Sequence, residues 1–314
     1  MYWKDIINDS DEWIGLRIEV IQDAKSNFIL ESGANCRFKL NMNEKPILWG
    51  TFGCDYWGVW ILNNKEHWQL SEMPIMPINS NVVQSSIASE YSKFLSKYFT
   101  KQLVKNYSNS LSSGIWTITT ENENTSCRIR DVESVFEKRN PRWIEWDIGR
   151  CGSIVALKEE PNDDSGRVKW FRKLVREEIC PPVLVWYLSC LDGYILIDGH
   201  SRLKAFQMES ISPRFLILNS IVEKEKKPDI KIQESILKGI EKRQKHQVKS
   251  KMNIDEVNRL LISAFDTRPY CRPITNAKAK RNYEDSWTEE VKGIGEVLNL
   301  NTSLINDMIA RTEE

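Results

Sequence analysis

Three features of the chain predict an α+β fold. Short alternating apolar segments fill its first third. Continuous apolar runs of strand length, separated by helical segments, fill its middle. Amphipathic helical patterns on a charged background fill its end. This ordering predicts a β-rich, Trp-containing domain at 1–136 with one long helix, an α/β domain at 143–225, and a helical C-terminal region at 226–314.

In the first region, Leu16–Ile21 and Cys36–Leu40 alternate apolar and polar residues, as half-buried strands do. Ile47–Phe52 and Trp57–Leu62 are two apolar runs separated by Gly53-Cys54-Asp55, so a meander of hairpins is expected. Pro74 and Pro77 close it. Val82–Tyr107 carries Ile87, Tyr91, Phe94, Leu95, Tyr98, Phe99 and Leu103 on a 3.6-residue stripe and predicts one helix. Ile115–Thr119 and Cys127–Val132 are further strand candidates, and Pro141 with its charged neighbours marks a boundary near 136–142.

In the middle region, Trp143–Ile148 and Ser153–Leu157 predict strands, and Glu159 to Gly166 has the composition of a loop. Val168–Glu178 has a helical stripe, which Pro181-Pro182 ends. Val183–Leu188, Tyr194–Ile197 and Phe215–Leu218 are apolar without alternation, the pattern of strands buried on both faces. Asp192-Gly193 turns the first into the second, and a helix runs from Arg202 to about Ser210. Beyond Glu223, Ile232, Ile236 and Ile240, then Ile254, Val257, Leu260 and Leu261, mark amphipathic helices, and Trp287–Leu298 a final one.

Composition narrows the function. Lys+Arg and Asp+Glu are equal at 44 each, so the chain lacks the overall positive charge of a non-specific DNA binder, although Lys238–Lys251 is locally basic and could meet DNA. No apolar stretch of about 18 residues is present, and the N-terminus has no apolar leader, which together with scattered cysteines predicts a cytoplasmic protein. The seven cysteines are odd in number and widely spaced, and the three histidines lie far apart, arguing against a disulfide framework or a zinc site. Eight of the twelve tryptophans precede residue 145 and are expected in a β-domain core.

The densest chemistry lies at Asp198-Gly199-His200-Ser201-Arg202, between an apolar strand and a helix. Amides at a helix start lack intrahelical partners and sit at the positive end of the dipole, which suits a phosphate. Gly199 leaves room for it, Arg202 offers a fork of donors, and His200 and Ser201 can donate as well. Asp198 could hold Mg²⁺ or accept a proton. The same residues could form an ordinary turn, with Asp198 as the helix N-cap.

Pro182–Val185, the run from Asp192 to Ala205 and the strand Phe215–Leu218 resemble the ParB/sulfiredoxin-like superfamily over about residues 143–225. The D-G-H-x-R-x-x-A wording at Asp198–Ala205 is closest to the branch that includes free serine kinases. The resemblance implies binding of a nucleoside triphosphate, ATP or CTP, with Mg²⁺. It also implies a glutamate base early in the domain, for which Glu159 and Glu160 are the nearest positional matches. The turn has no cysteine, which disfavours sulfiredoxin chemistry. Several functions are therefore expected. The first is an ATP-dependent phosphotransferase (kinase) or nucleotide hydrolase acting on a small hydroxyl acceptor through Asp198, His200 and Glu159 or Glu160. The others are a nucleotide-dependent, partition-like DNA-binding protein, a ParB-like nuclease, and a non-catalytic component of a bacterial defence or toxin system.

Overall fold

The apolar runs of the middle region become strands enclosed on both faces, and this positions the candidate site. The computed structural model describes residues 2–8, 10–21, 26–65, 75–87, 90–105, 108–109, 111–121, 128–130, 132–146, 152–225, 229–245, 254–265 and 270–312. Two compact units are present, one of residues 1–220 with 274–314 and one of residues 221–273.

In chain order the first unit opens with β1 (Tyr2–Ile7), β2 (Trp13–Val20), β3 (Phe28–Ser32), β4 (Arg37–Met42), β5 (Lys45–Phe52) and β6 (Gly58–Asn63). Then follow α1 (Ser80–Ile87), α2 (Tyr91–Leu103), the short β7 (Val104–Lys105) and β8 (Ser108–Asn109), β9 (Gly114–Thr120), β10 (Arg142–Glu145) and β11 (Ile154–Ala156). Next come α3 (Gly166–Arg176), β12 (Val183–Leu188), β13 (Gly193–Asp198), α4 (His200–Glu209) and β14 (Phe215–Lys224). The second unit holds α5 (Ile230–Lys245), α6 (Ile254–Phe265) and most of β15 (Tyr270–Ile274). The first unit resumes with β16 (Ala277–Ala279), α7 (Tyr283–Val297) and α8 (Thr302–Ala310).

One sheet runs β1-β2-β9-β14-β12-β13-β11, and a second runs β10-β6-β5-β4-β3-β16. In the first, β12 and β13 form the expected antiparallel hairpin, while β11 is parallel to β13 and β14 parallel to β12. Period-two side-chain direction divides its residues between two cores. Leu184, Trp186, Ile195, Ile197, Leu216 and Leu218 face the larger one, and Val183, Val185, Tyr194, Leu196, Phe215 and Ile217 the smaller. The second sheet contains the predicted meander, and α7 and α8 cover its Trp49 and Trp60 with Trp287, Val291, Ile305 and Met308.

The α+β class is as expected, but several elements differ from the sequence expectation. The predicted boundary at 136–142 does not divide the sheets: β1, β2 and β9 join β11–β14 in one sheet, and β10 joins the strands of 28–63. Residues 274–314, expected in a separate helical region, pack within the first unit. The helix expected over Val82–Tyr107 is two helices. Glu90 takes an extended backbone, and its carbonyl accepts from the Phe94 N–H to open a new first turn. Among the described residues Arg128–Arg130 form no strand: the Arg130 N–H donates to the Gly152 carbonyl and the Ile129 N–H to the Glu121 carboxylate rather than to a strand ladder; Cys127 lies outside the described residues, as does Pro74. The expected final helix starts at Tyr283 and is followed by α8, whose N-cap Asn301 accepts from the Ser303 N–H. Trp49, Trp60 and Trp116 are buried as expected of core residues, whereas Trp57 is exposed.

Candidate functional site

β13 delivers Asp198 as its last residue, opposite Leu184 of β12. Gly199 follows with φ +110°, in the left-handed region that favours glycine, and α4 begins at once. A Cβ there would lie 2.8 Å from Arg202 Nη2. The glycine is thus required by the chain's own arginine, which curls back under the turn. Asp198 is not the N-cap; Gly199 is, and no side chain caps the helix. The opening amides of α4 therefore keep their capacity to bind an anion.

Arg202 does not project into solvent as a phosphate fork. It is 1% exposed and donates from Nη2 to Asp198 Oδ2 at 2.7 Å, while its Nε has no partner among the described residues. Its guanidinium lies 5.6 Å from the centre of the Phe171 ring, and that of Arg167, in the first turn of α3, lies 5.2 Å from the same ring. Arg167 also donates to the Ile78 carbonyl at 3.1 Å. Lys158, just past β11, is half-buried. Desolvation lowers its ammonium pKa and Asp198 partly offsets this. Arg167 shifts downward as well, through desolvation and then repulsion from Arg202.

His200, the first residue of α4, is buried against Phe136, and its Nε2 is enclosed without a partner among the described residues. Desolvation, with Lys158 and Arg202 adding repulsion, pushes its pKa down to about 3, so the ring is neutral near pH 7. A neutral ring protonated on Nε2 can donate to an acceptor without adding charge.

These groups line a cleft of about 280 Å³ together with Glu159, Gly199 and Ser201. The two glutamates separate here. Glu159 lines the cleft, largely exposed, with Lys65 at 3.5 Å. Glu160 is held by Lys204 at 2.6 Å and lines a different groove beside Gln207. Asp198 faces three cations, and no group of three potential metal-ligating side chains is found among the described residues. That surrounding charge does not fit Asp198 as the ligand of a resident Mg²⁺, and it does fit an anion. Nearby Cys180 is buried and its thiol is pushed up to about 12, which leaves it no nucleophilic role.

Sequence reasoning found Asp198, Gly199, His200, Ser201, Arg202 and Glu159, which the fold brings together, and missed Lys158 and Arg167. A signal existed for each, as both are cations at an element end: Lys158 follows a strand that pairs with β13, and Arg167 sits just after the Ser165 cap of α3. The basic Lys238–Lys251 stretch lies in the second unit, where Lys238 pairs with Glu234 at 3.5 Å; residues 246–251 lie outside the described residues. Among the described residues no helix is long and apolar enough to cross a membrane. No family model matches this chain, and no curated protein or solved structure matches it either.

Proposed function

We propose that the cleft at the start of α4 binds the phosphates of a nucleoside triphosphate, in the manner of the ParB/sulfiredoxin-like superfamily. The observation that carries this is the imbalance of charge around Asp198. Lys158, Arg167 and Arg202 line the cleft with the carboxylates of Asp198 and Glu159, the latter paired with Lys65, beside an uncapped helix start and a neutral histidine. Phosphate oxygens would accept from the α4 amides, His200, Ser201, Lys158 and Arg167. Arg202 would act from beneath, holding Asp198 and the turn in place. Any Mg²⁺ would arrive on the nucleotide, bound mainly by its phosphates.

The finer reading is an ATP-dependent phosphotransferase. Glu159 would take the proton of a small hydroxyl acceptor as that oxygen attacks the terminal phosphorus, with ADP leaving. Glu159 is preferred to Glu160 because it lines the cleft and keeps its carboxylate exposed. A thermal-shift series with ATP, CTP, GTP and ADP, each with and without Mg²⁺, tests the binding. One of the triphosphates should raise Tm, and Arg167→Ala should abolish the rise. Unchanged midpoints for all of them would end the proposal. ADP release with serine and other hydroxyl compounds, lost in Glu159→Gln, tests the transfer.

A further inference from the structure

A second cavity, of about 310 Å³, lies between the two sheets and is independent of the phosphate cleft. Phe28 and Leu30 of β3 form one wall, and Trp116 of β9 and Trp186 of β12 form the other. The Trp186 ring meets Phe28 edge-on with centroids 5.5 Å apart and Trp116 at 6.1 Å. Apolar side chains supply most of the lining surface, Ser26, Ser112, Ser220, Thr275 and Asn276 add polar groups, and the exposed Lys278 is its charged residue.

The two indoles differ in one respect. Trp116 Nε1 donates to the Ser112 carbonyl at 2.9 Å. Trp186 Nε1 is enclosed and has no acceptor among the described residues, and Trp186 is only 6% exposed. A buried indole N–H normally finds an acceptor, because leaving it dry forfeits its hydration. Here the missing acceptor coincides with an aromatic-walled space large enough for a small ligand.

We infer that this cavity is a binding site for a flat, uncharged heteroaromatic compound of about two fused rings with an edge acceptor for the Trp186 N–H. Its rings would sit beside the Phe28–Trp186 pair against the apolar lining, and a small tilt of the Trp186 indole would bring the N–H to the acceptor. The absence of a buried charge in the lining favours a neutral occupant over an ionic one.

Quinoline and naphthalene test this, since they share a shape and differ in one ring nitrogen. Ligand-observed NMR on the full chain should give quinoline a Kd roughly tenfold below that of naphthalene, the value of one hydrogen bond. Trp186→Phe keeps an aromatic wall and should bring the two compounds to equal affinity. Ala277→Phe, on the exposed β16 at the cavity margin, should block both while the protein stays folded by circular dichroism. Equal affinity in the wild-type protein, a quinoline preference that survives Trp186→Phe, or no binding of quinoline would each overturn the inference.

Discussion

Arg37 and Arg202 are both almost fully enclosed, at 4% and 1% exposure, and each has an aromatic ring beside its guanidinium. Arg37 is richly supplied with acceptors. It donates to Thr288 Oγ1, to the carbonyls of Glu284 and Ile309, and to the Glu284 carboxylate at 3.2 Å. These bonds tie α7 and α8 to β4. Among the described residues Arg202 has Asp198 as its acceptor, and Lys158 and Arg167 act on the same site. A buried arginine with several acceptors fastens structure. One that shares a single carboxylate with neighbouring cations leaves unmet demand for negative charge, which a phosphate could satisfy.

The contrast sets an order of expected effects. Arg37→Ala should be the most damaging to stability, at about 3 kcal/mol in denaturant unfolding, because several partners lose their donor at once. It should leave any nucleotide-induced Tm rise intact in whatever protein folds. Arg202→Met should cost about 2 kcal/mol and abolish that rise, since the turn loses its tie to Asp198. If it costs as much as Arg37→Ala while nucleotide still binds, the distinction between the two arginines fails. Gly199→Ala should cost about 1–3 kcal/mol through its left-handed backbone and the approach of Arg202, also read from the denaturation midpoint.

His200 provides a pH test. Its pKa is about 3 in the folded protein and about 6.5 in an unfolded chain, so between these values the unfolded state binds more protons. The stability from keeping the ring neutral is full above about pH 6.5 and falls as pH drops toward 3, by at most about 1.4 kcal/mol per pH unit. Denaturation midpoints measured across that window should fall with a steeper slope in the wild-type protein than in His200→Gln; equal slopes would show that the ring already protonates freely. The smallest effect is expected from Lys158→Ala. Removing a desolvated cation should leave stability unchanged or raise it by about 0.5 kcal/mol, while any nucleotide binding weakens. A clear loss of stability would mean that Lys158 supports the fold.

The hairpin of β12 and β13, then α4 and the start of β14, was legible in the sequence because unbroken apolar runs, a turn dipeptide and a helix start are local signals. The Asp198–Arg202 turn was legible for the same reason. The roles inside it were not. Gly199 was expected to make room for a phosphate, and its neighbour proves to be Arg202, since a side chain that folds back leaves no trace in spacing. Lys158 and Arg167 are single cations in unremarkable surroundings, and only the β11–β13 pairing and the packing of α3 on α4 bring them to Asp198. The pairing of β9 with β14 is likewise invisible to periodicity, because strand patterns state that an edge is sought and not which distant strand supplies it.

The return of the last segment to the second sheet has a kinetic consequence. Trp287 donates to the Phe38 carbonyl, Glu290 accepts from Lys39 and Trp49, and Arg311 donates to the Phe52 carbonyl, joining residues that synthesis separates by most of the chain. Trp49 and Trp60 stay uncovered until α7 and α8 have been made, and the second unit must be looped out before the ends of the first can meet. Folding of the first unit is therefore governed by late, long-range closure, and a nascent chain stopped before residue 274 presents an apolar sheet face prone to self-association.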